Sequence, residues 1–567
     1  MRRSSAAILT LLVLAACSSD GPTSPTATDT PAPPKKAVAS ATPIEIVTEP
    51  AGDWLESACS MPFEYVERIR RGYVKGRSPE ILFVPREPNF FGGFTSTTHS
   101  GPWDYVQEVP IAFYGPGFIQ SKGEIELDRE VTLADIAPTL ANLLETDFPK
   151  DRPGRAITEA LVPKDERPNK PRMILVVVWD GGGWDVLHTW PNAWPFLNGL
   201  MQDGTSITNA TVGSSPSVTP AVHATIGTGT FPKDHGIVDI PIRMGADIVG
   251  AYDGRSGQYM EETTLADIYD QETNNKAKIG MLAYKSWHLG MIGKGAQLPG
   301  GDRDIAVIAE KSAGDLVSNE TYYELPEYLQ HVSGFDDDKR SVDLEDGKLD
   351  DKWMGHEVLD DPSELRHTPV WSLYQTRLLT TLFDNERYGQ DDVTDLFYTN
   401  YKQVDDVGHD WNMLNPEMRE ILRYSDDQLK KLVVYLDSHV GRHKWVVAFT
   451  ADHGQSPDPM AAQAWPVRIQ LLQDDVSKEF DHTDNGVDLF QDERPVGFWL
   501  DADEMAANDV TEEDISNYIV DYRLEQNLRP GEKVPDQYKK RLREPILASA
   551  FPSDEMGKIW ACAKRRA

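Results

Sequence analysis

Apolar residues occur along this chain in short continuous runs that alternate with helical patterns. Four runs are rich in β-branched or aromatic residues and lie at 81–84, 174–179, 396–401 and 445–450. Such runs are typical of buried strands, and strands that alternate with helices are typical of a mainly parallel sheet. The pattern therefore predicts an α/β fold built on a mainly parallel sheet.

Aspartates and histidines follow three of these runs. Asp180 comes directly after the second run, Asp405 and His409 follow the third, and Asp452 and His453 follow the fourth. Sites in open α/β sheets gather at the carboxyl ends of the strands. One such residue alone is typical of a turn or a helix cap, but three strand ends with carboxylates and imidazoles predict a shared metal cluster. This ligand chemistry suits Zn²⁺ first and Mn or Fe second.

A Thr-Pro pair lies between the first two of these strand ends. Thr219 precedes Pro220, and a hydroxyl residue followed by proline is typical of the N-cap and first turn of a helix. A helix N-terminus favours anions, and a threonine hydroxyl becomes a useful nucleophile when a metal lowers its pKa. We therefore predict that Thr219 is a nucleophile, with a purely structural helix cap as the alternative.

Together these motifs resemble the alkaline phosphatase superfamily, and within it the nucleotide pyrophosphatase/phosphodiesterase branch. The resemblance is carried by Asp180, the segment 216–223 around Thr219, His235-Gly236-Ile237, the Asp405 to His409 motif and Asp452-His453-Gly454. It implies a three-layer α/β/α sandwich of the alkaline phosphatase type with cap insertions.

The resemblance also implies a two-zinc site. One zinc would be held by Asp180, Asp452 and His453 and would bind and activate Thr219. The other zinc would be held by Asp405, His409 and one further histidine.

This further histidine has two candidates. In the family it follows the Asp-His-Gly motif, where this chain has only His482, in an acidic run. Upstream, residues 76–117 resemble the family's C-terminal block and carry His99 in a Thr-Thr-His-Ser-Gly turn. We therefore interpret the chain as circularly permuted, with His99 as the ligand. Two alternatives stay open: His482 is the ligand and the N-terminal block is the remnant of a duplicated domain, or the second zinc site is incomplete.

The N-terminus has the pattern of an export signal. Arg2 and Arg3 precede an apolar stretch at 6–16 that is too short to span a bilayer. The stretch ends in Leu-Ala-Ala-Cys17, which resembles the lipobox of bacterial lipoproteins. The resemblance implies cleavage before Cys17, lipidation of its thiol and an anchored position on the extracytoplasmic side of the membrane. An ordinary secretory signal is the alternative.

Two cysteines remain after Cys17, namely Cys59 and Cys562. In an exported protein an isolated pair is a candidate disulfide, and two unpaired thiols are the alternative.

These patterns predict the organisation of the chain. The predicted parts are a signal peptide at 1–16, a flexible tether at 17–43, a permuted block at 44–150, a joint at 151–171, a catalytic core at 172–460 with an insertion at about 245–392, and a cap with the end of the core at 461–567.

The net charge of the chain limits the classes of partner that it is expected to bind. The 567 residues carry a formal net charge of -35, which argues against a nucleic-acid polymer because phosphate backbones need clustered Lys and Arg. A small anionic substrate therefore needs a local positive centre, which bound metal would supply.

One residue bears on the choice of substrate. Ile240 stands where the family often has an Asn whose amide contacts a phosphoryl oxygen, and an isoleucine side chain donates no hydrogen bond. The Lys-x-Arg pair of some phosphomonoesterase relatives was not identified either. We therefore expect a phosphodiesterase or pyrophosphatase that acts through a phosphothreonine intermediate. The alternatives are a phosphomonoesterase and a non-catalytic binding module on the same scaffold.

Overall fold

The computed structural model describes residues 52–310, 315–483 and 485–567. The predicted signal peptide, Cys17 and the predicted tether lie outside these residues.

The largest sheet in the described part of the chain has nine strands. Eight of them run parallel to one another, and Ile111–Tyr114 runs antiparallel to both of its neighbours. In order across the sheet the strands are Tyr323–Glu324, Asp304–Ile308, Ile279–Ala283, Asp395–Tyr401, Met173–Trp179, Trp445–Thr450, Ile111–Tyr114, Thr205–Ile207 and Gly123–Ile125.

Both faces of this sheet are covered. Along the strand Met173–Trp179 all seven residues are buried, and they alternate between two hydrophobic cores: Ile174, Val176 and Val178 pack into one, and Met173, Leu175 and Val177 into the other. This explains why the strand reads as a continuous apolar run.

Helices pack on each face. Those on the first face include Ile136–Leu144, Thr219–Thr228 and Leu265–Thr273, and those on the second include Trp184–Thr189, Pro195–Asp203, Pro369–Glu386, Gln403–Trp411 and Pro416–Leu436. The predicted three-layer α/β/α sandwich with a mainly parallel sheet is therefore confirmed.

A second sheet of four antiparallel strands lies beside a third core. Its order is Phe490–Arg494, Gly497–Leu500, Ile81–Pro85 and Leu547–Pro552. The helices around it include Trp54–Cys59, Phe63–Gly72, Ile469–Phe480, Glu512–Val520 and Met556–Arg566. The run at 81–84 is thus a buried strand as predicted, but its partners come from the end of the chain. An apolar run indicates burial and does not indicate which strand it pairs with.

The segment at 245–392, expected to be an insertion, differs from that expectation. It contributes the strands Ile279–Ala283, Asp304–Ile308 and Tyr323–Glu324 to the central sheet. These strands are short, at five, five and two residues, and the first contains a glycine and no β-branched residue after Ile279. Their pattern was therefore too weak to identify them as core strands.

The two ends of the described chain lie side by side. The helices Trp54–Cys59 and Met556–Arg566 contact each other, and Cys59 and Cys562 form a disulfide with their Cα atoms 5.5 Å apart. Among the described residues, we find no helix with the length and apolar character needed to cross a bilayer.

Candidate active site

Three neighbouring strands deliver most of the predicted ligands to one edge of the central sheet. The strands Asp395–Tyr401, Met173–Trp179 and Trp445–Thr450 are adjacent and parallel, so their carboxyl ends lie together. Asp180 follows Met173–Trp179 directly, and Asp452 and His453 follow Trp445–Thr450 after a single residue. The site therefore forms where a parallel sheet places it.

The strand Asp395–Tyr401 is followed by a helix rather than by a loop. The helix Gln403–Trp411 begins two residues after the strand ends. Asp405 and His409 are four residues apart on it and so lie on the same face. This face points toward the carboxyl ends of the other two strands.

One group of potential ligands contains Asp180, Asp452 and His453, all fully buried. His453 Nε2 lies 3.5 Å from Asp180 Oδ1 and 3.4 Å from Asp452 Oδ2. Both His453 Nε2 and Asp452 Oδ2 are buried without a hydrogen-bond partner among the described residues. Unpartnered buried polar atoms cost free energy, and a cation between them removes that cost.

A second group surrounds Asp405. Its Oδ1 atom lies 3.5 Å from His99 Nε2, 3.4 Å from His409 Nε2 and 3.9 Å from His453 Nε2. His99, His453 and Asp405 are buried, whereas 31% of the His409 side chain is exposed. The structure thus brings His99 to the predicted second metal position although it lies far upstream in the sequence.

The three imidazoles of the two groups use their ring nitrogens in the same way, with Nδ1 on a backbone carbonyl and Nε2 toward the carboxylates. Nδ1 of His99 contacts the carbonyl oxygen of Ser217 at 2.8 Å, and Nδ1 of His453 contacts that of Gly454 at 2.9 Å. Nδ1 of His409 contacts the carbonyl oxygen of Thr97 at 2.6 Å. A carbonyl only accepts, so each Nδ1 carries the proton and each Nε2 lone pair faces the carboxylates.

This arrangement fits divalent metal ions. A lone pair that faces a carboxylate is repelled unless a cation lies between them, and metal-binding histidines characteristically donate their other N–H to a carbonyl. The first group would hold one ion, and Asp405 with His99 and His409 would hold another.

Burial has opposite effects on the acids and bases of the site. It lowers the pKa of His99 and of His453, which keeps both imidazoles neutral and able to bind metal. Burial and the neighbouring Asp180 raise the pKa of Asp452.

Thr219 is the first residue of the ten-residue helix Thr219–Thr228, and 3% of it is exposed. It differs slightly from the sequence prediction, because Val218 occupies the N-cap position and Thr219 makes no cap hydrogen bond. The hydroxyl of Thr219 is therefore available to the site. Its Oγ1 atom lies 3.3 Å from Lys402 Nζ.

Sequence reasoning missed Lys402. This residue links the strand Asp395–Tyr401 to the following helix, and its side chain is 2% exposed. Nζ lies 2.7 Å from Asp180 Oδ1 and 2.6 Å from Asp405 Oδ2. Burial lowers the pKa of Lys402, but the negative charges of Asp180 and Asp405 raise it by a larger amount. The pKa of Lys402 therefore lies above its usual value. A lysine directly after a buried run was the one signal that could have identified it.

Gln455 was also missed, and it explains two glycines of the motifs. Its Nε2 atom donates to Asp405 Oδ1 at 3.0 Å from a fully buried side chain. A Cβ atom on Gly181 would lie 2.2 Å from Gln455 Nε2, and one on Gly408 would lie 2.5 Å from Gln455 Cδ. Both glycines therefore make room for the amide that orients Asp405.

Two other histidines occupy different positions. His223 contacts the carbonyl of Thr219 through Nδ1 and the amide of Asn400 through Nε2, so both of its nitrogens are used within the protein. His482 is exposed in a loop where its backbone N–H donates to Asn508 Oδ1, and it belongs to neither ligand group.

Ile240 is half-buried, and its backbone N–H donates to the side chain of Asp239 at 2.6 Å.

Lys285 follows the strand Ile279–Ala283, the neighbour of Asp395–Tyr401, and lies near Lys402 and Asp406. Burial and then Lys402 lower the pKa of Lys285. Its Nζ atom lies 4.3 Å from the centre of the Trp287 ring and has no carboxylate in salt-bridge contact among the described residues.

Several known proteins are similar to this chain. The calcium-transporting ATPase of Myroides odoratus is 23% identical over 349 residues, which are 52% of this chain and 62% of that protein. Alkaline phosphatase PafA of Elizabethkingia meningoseptica is 22% identical over 360 residues, which are 55% of this chain and 64% of that protein. The chain thus spans less than two thirds of the length of these relatives.

A solved structure is similar as well. The crystal structure of wild-type alkaline phosphatase PafA matches this chain with a TM-score of 0.48 at 18% sequence identity. The matched region covers 66% of this chain and 82% of the PafA chain. The family model described as type I phosphodiesterase / nucleotide pyrophosphatase matches residues 174–567. This match begins in the central strand that delivers Asp180 and includes Thr219, Asp405, His409, Asp452 and His453. The chain therefore belongs to the type I phosphodiesterase / nucleotide pyrophosphatase family.

Proposed function

We propose that this protein hydrolyses phosphoric esters with Thr219 as its nucleophile. The observation that carries the proposal is the position of Thr219 Oγ1 at a helix N-terminus, beside a buried cluster of carboxylates and imidazole Nε2 atoms. Such a cluster would concentrate cations next to a hydroxyl that makes no helix-cap hydrogen bond. The family to which the chain belongs supports the same class of reaction.

The reaction would proceed in two displacements at phosphorus. In the first, Thr219 Oγ1 forms a bond to phosphorus as the bond to the leaving alcohol breaks, and the alcohol takes a proton. In the second, water attacks phosphorus, phosphate or a phosphomonoester departs, and Thr219 regains its proton. Two divalent ions, which we propose to be Zn²⁺, would lower the pKa of the nucleophile and neutralise phosphoryl charge when bound.

Each residue of the site would have a defined role in this scheme. Asp180, Asp452 and His453 would hold the ion nearest the nucleophile, and Asp405, His409 and His99 would hold the other. Gln455 keeps Asp405 in place through its hydrogen bond to Oδ1.

We propose phosphodiesters and pyrophosphates as the substrates. A diester carries one negative charge on its phosphoryl group, so it requires fewer protein donors than a monoester. Ile240 provides no side-chain donor at the position where relatives often have an amide.

Phosphomonoesters are a second candidate because of Lys285. This half-buried ammonium group has no carboxylate in salt-bridge contact in the described part of the chain, and a charge that is removed from water without a close partner is costly. A dianionic phosphoryl group bound at the site would compensate it.

Turnover of two chromogenic esters would test both proposals. The purified, zinc-loaded protein would be assayed with bis-(p-nitrophenyl) phosphate and p-nitrophenyl phosphate, beside a Thr219→Ala variant with verified metal content. We expect the variant to lose about 10³-fold or more in kcat, as loss of a nucleophile does elsewhere. Full activity of Thr219→Ala would refute the covalent mechanism, and a strong monoester preference would replace the diester assignment.

We also propose that the chain is circularly permuted. In a permuted protein the new ends arise from a cut in one connection, so they lie together. The Cα atoms of Cys59 and Cys562, near the two ends, are 5.5 Å apart, which supports this origin. The position of His99 in the site, before the segment that the family model matches, supports it as well.

Finally, we propose that the protein is exported and anchored to the membrane through lipid on Cys17. The Leu-Ala-Ala-Cys17 motif and the tether-like composition of 18–43 support this position. Membrane fractionation of cells that express the wild type or Cys17→Ala would test it, with metabolic palmitate labelling as the direct readout. Equal labelling of the two proteins would exclude lipidation at Cys17.

A further inference from the structure

Lys402 places a buried positive charge between the two ligand groups. Its ammonium lies within hydrogen-bonding distance of Asp180 Oδ1, Asp405 Oδ2 and Thr219 Oγ1, at 2.7, 2.6 and 3.3 Å. An ammonium group has three N–H donors, and these three oxygens account for all of them. The charge is thus satisfied within the protein, and the third donor is directed at the hydroxyl of Thr219.

The three contacts are not equivalent. Asp180 and Asp405 are carboxylates that already compensate the charge, one from each ligand group. Thr219 is a neutral hydroxyl and adds little to that compensation. A counter-ion for two aspartates therefore does not require the third contact.

We propose that Lys402 is a catalytic residue that stabilises negative charge on Thr219 Oγ1 through this third N–H. The inference rests on the proposed role of Thr219 as the nucleophile. Negative charge develops on Oγ1 twice, when the oxygen attacks phosphorus and when it leaves the phosphothreonine. A preorganised donor at this atom lowers the barrier of both steps and transfers no proton.

A different role would be purely structural. In that case Lys402 would only hold Asp180 and Asp405 in position for metal. Its removal would then reduce metal binding or stability and would affect the rate only through them.

Single-turnover phosphorylation would separate the two roles. We expect Lys402→Met to bind the same number of metal ions as the wild type, measured by mass spectrometry of dialysed protein. We expect formation of phospho-Thr219 in acid-quenched samples to fall about 10²–10³-fold, the usual effect of removing one charge-stabilising donor. In a Thr219→Ala background, the same substitution should lower residual turnover no further. Lys348→Met, at a side chain that is 69% exposed, serves as the matched control and should leave all three readouts unchanged.

The outcomes that would overturn the inference are distinct. An undiminished phosphorylation rate in Lys402→Met, or a loss that saturating metal restores to the wild-type rate, would leave Lys402 as a structural counter-ion. If Lys402→Met does not fold, Lys402→Gln is measured at the same step, and a wild-type rate there would have the same meaning. Absence of phospho-Thr219 in the wild type would refute the proposed function itself, so the two failures are distinguishable.

Discussion

The imidazole rings of His99 and His453 stack face to face, with their centres 3.4 Å apart and their planes 5° from parallel. His453 belongs to the segment that the family model matches, and His99 precedes it. Both rings direct Nε2 toward Asp405 Oδ1. The stack therefore joins the N-terminal block to a candidate ligand in the segment that the family model matches.

This stack predicts which histidine completes the second metal position. We expect His99→Ala to retain about one metal ion fewer than the wild type after dialysis, because Asp405 and His409 alone leave that ion with two protein ligands. We expect His482→Ala to retain the full complement, since His482 is exposed and outside both groups. Metal content measured by mass spectrometry checks both. Loss of metal with His482→Ala alone would contradict the permutation and favour the duplicated-domain alternative.

The position of Lys285 predicts how the proposed activity depends on the charge of the phosphate ester. Lys285→Met should reduce kcat/KM for p-nitrophenyl phosphate about 10–100-fold, the range for loss of one hydrogen bond to a charged group. The reduction for bis-(p-nitrophenyl) phosphate should be smaller, because a diester carries less charge for the ammonium to compensate. Lys539→Met, at a side chain that is 61% exposed, is the control. Equal reductions of kcat/KM for both esters would show that Lys285 does not distinguish substrates by the charge of the phosphoryl group.

The sequence predicted the four apolar strands to within one residue at each end because a strand buried on both faces needs a continuous apolar run. It did not predict that Ile81–Pro85 lies in a second sheet. Pairing depends on residues at the far end of the chain, such as Leu547–Pro552, and a local pattern contains no information about them.

The candidate site was predictable where its candidate ligands lie next to strands. Lys402 and Gln455 were not predicted, because a single lysine or glutamine is usually exposed and only the packed structure shows that both are buried. The helix that carries Asp405 and His409 was missed for a related reason, since its short sequence follows the strand without a clear cap.

Asp185 predicts how stability depends on pH in the metal-free protein. Burial raises the pKa of its carboxyl to about 8, although it accepts a hydrogen bond from Gln455 N–H at 3.0 Å. A raised pKa means that the folded state favours the protonated acid. This contribution to stability is complete below the unfolded value of about 3.9 and is lost as pH rises toward 8.

The variant Asp185→Asn removes this titration and keeps an acceptor for Gln455 N–H. In excess chelator, we expect the Tm of the wild type to fall relative to that of Asp185→Asn between pH 5 and pH 8. Differential scanning fluorimetry at constant ionic strength measures the difference. A constant gap between the two proteins across this range would show that Asp185 does not titrate there.

The bond between Cys59 and Cys562 closes a loop with a sequence separation of 503. A crosslink of this kind stabilises mainly by restricting the unfolded chain, by about 2–4 kcal/mol in typical cases. We therefore expect Cys59→Ala, Cys562→Ala and the double variant to lower the free energy of unfolding by similar amounts, because each of them breaks the same bond. Denaturation of protein produced in an oxidising compartment measures these values, and alkylation without reductant counts free thiols. Additive losses from the two single variants, or two alkylated thiols in the wild type, would show that these cysteines are not bonded to each other. Either result would also remove one of the observations that support a circular permutation.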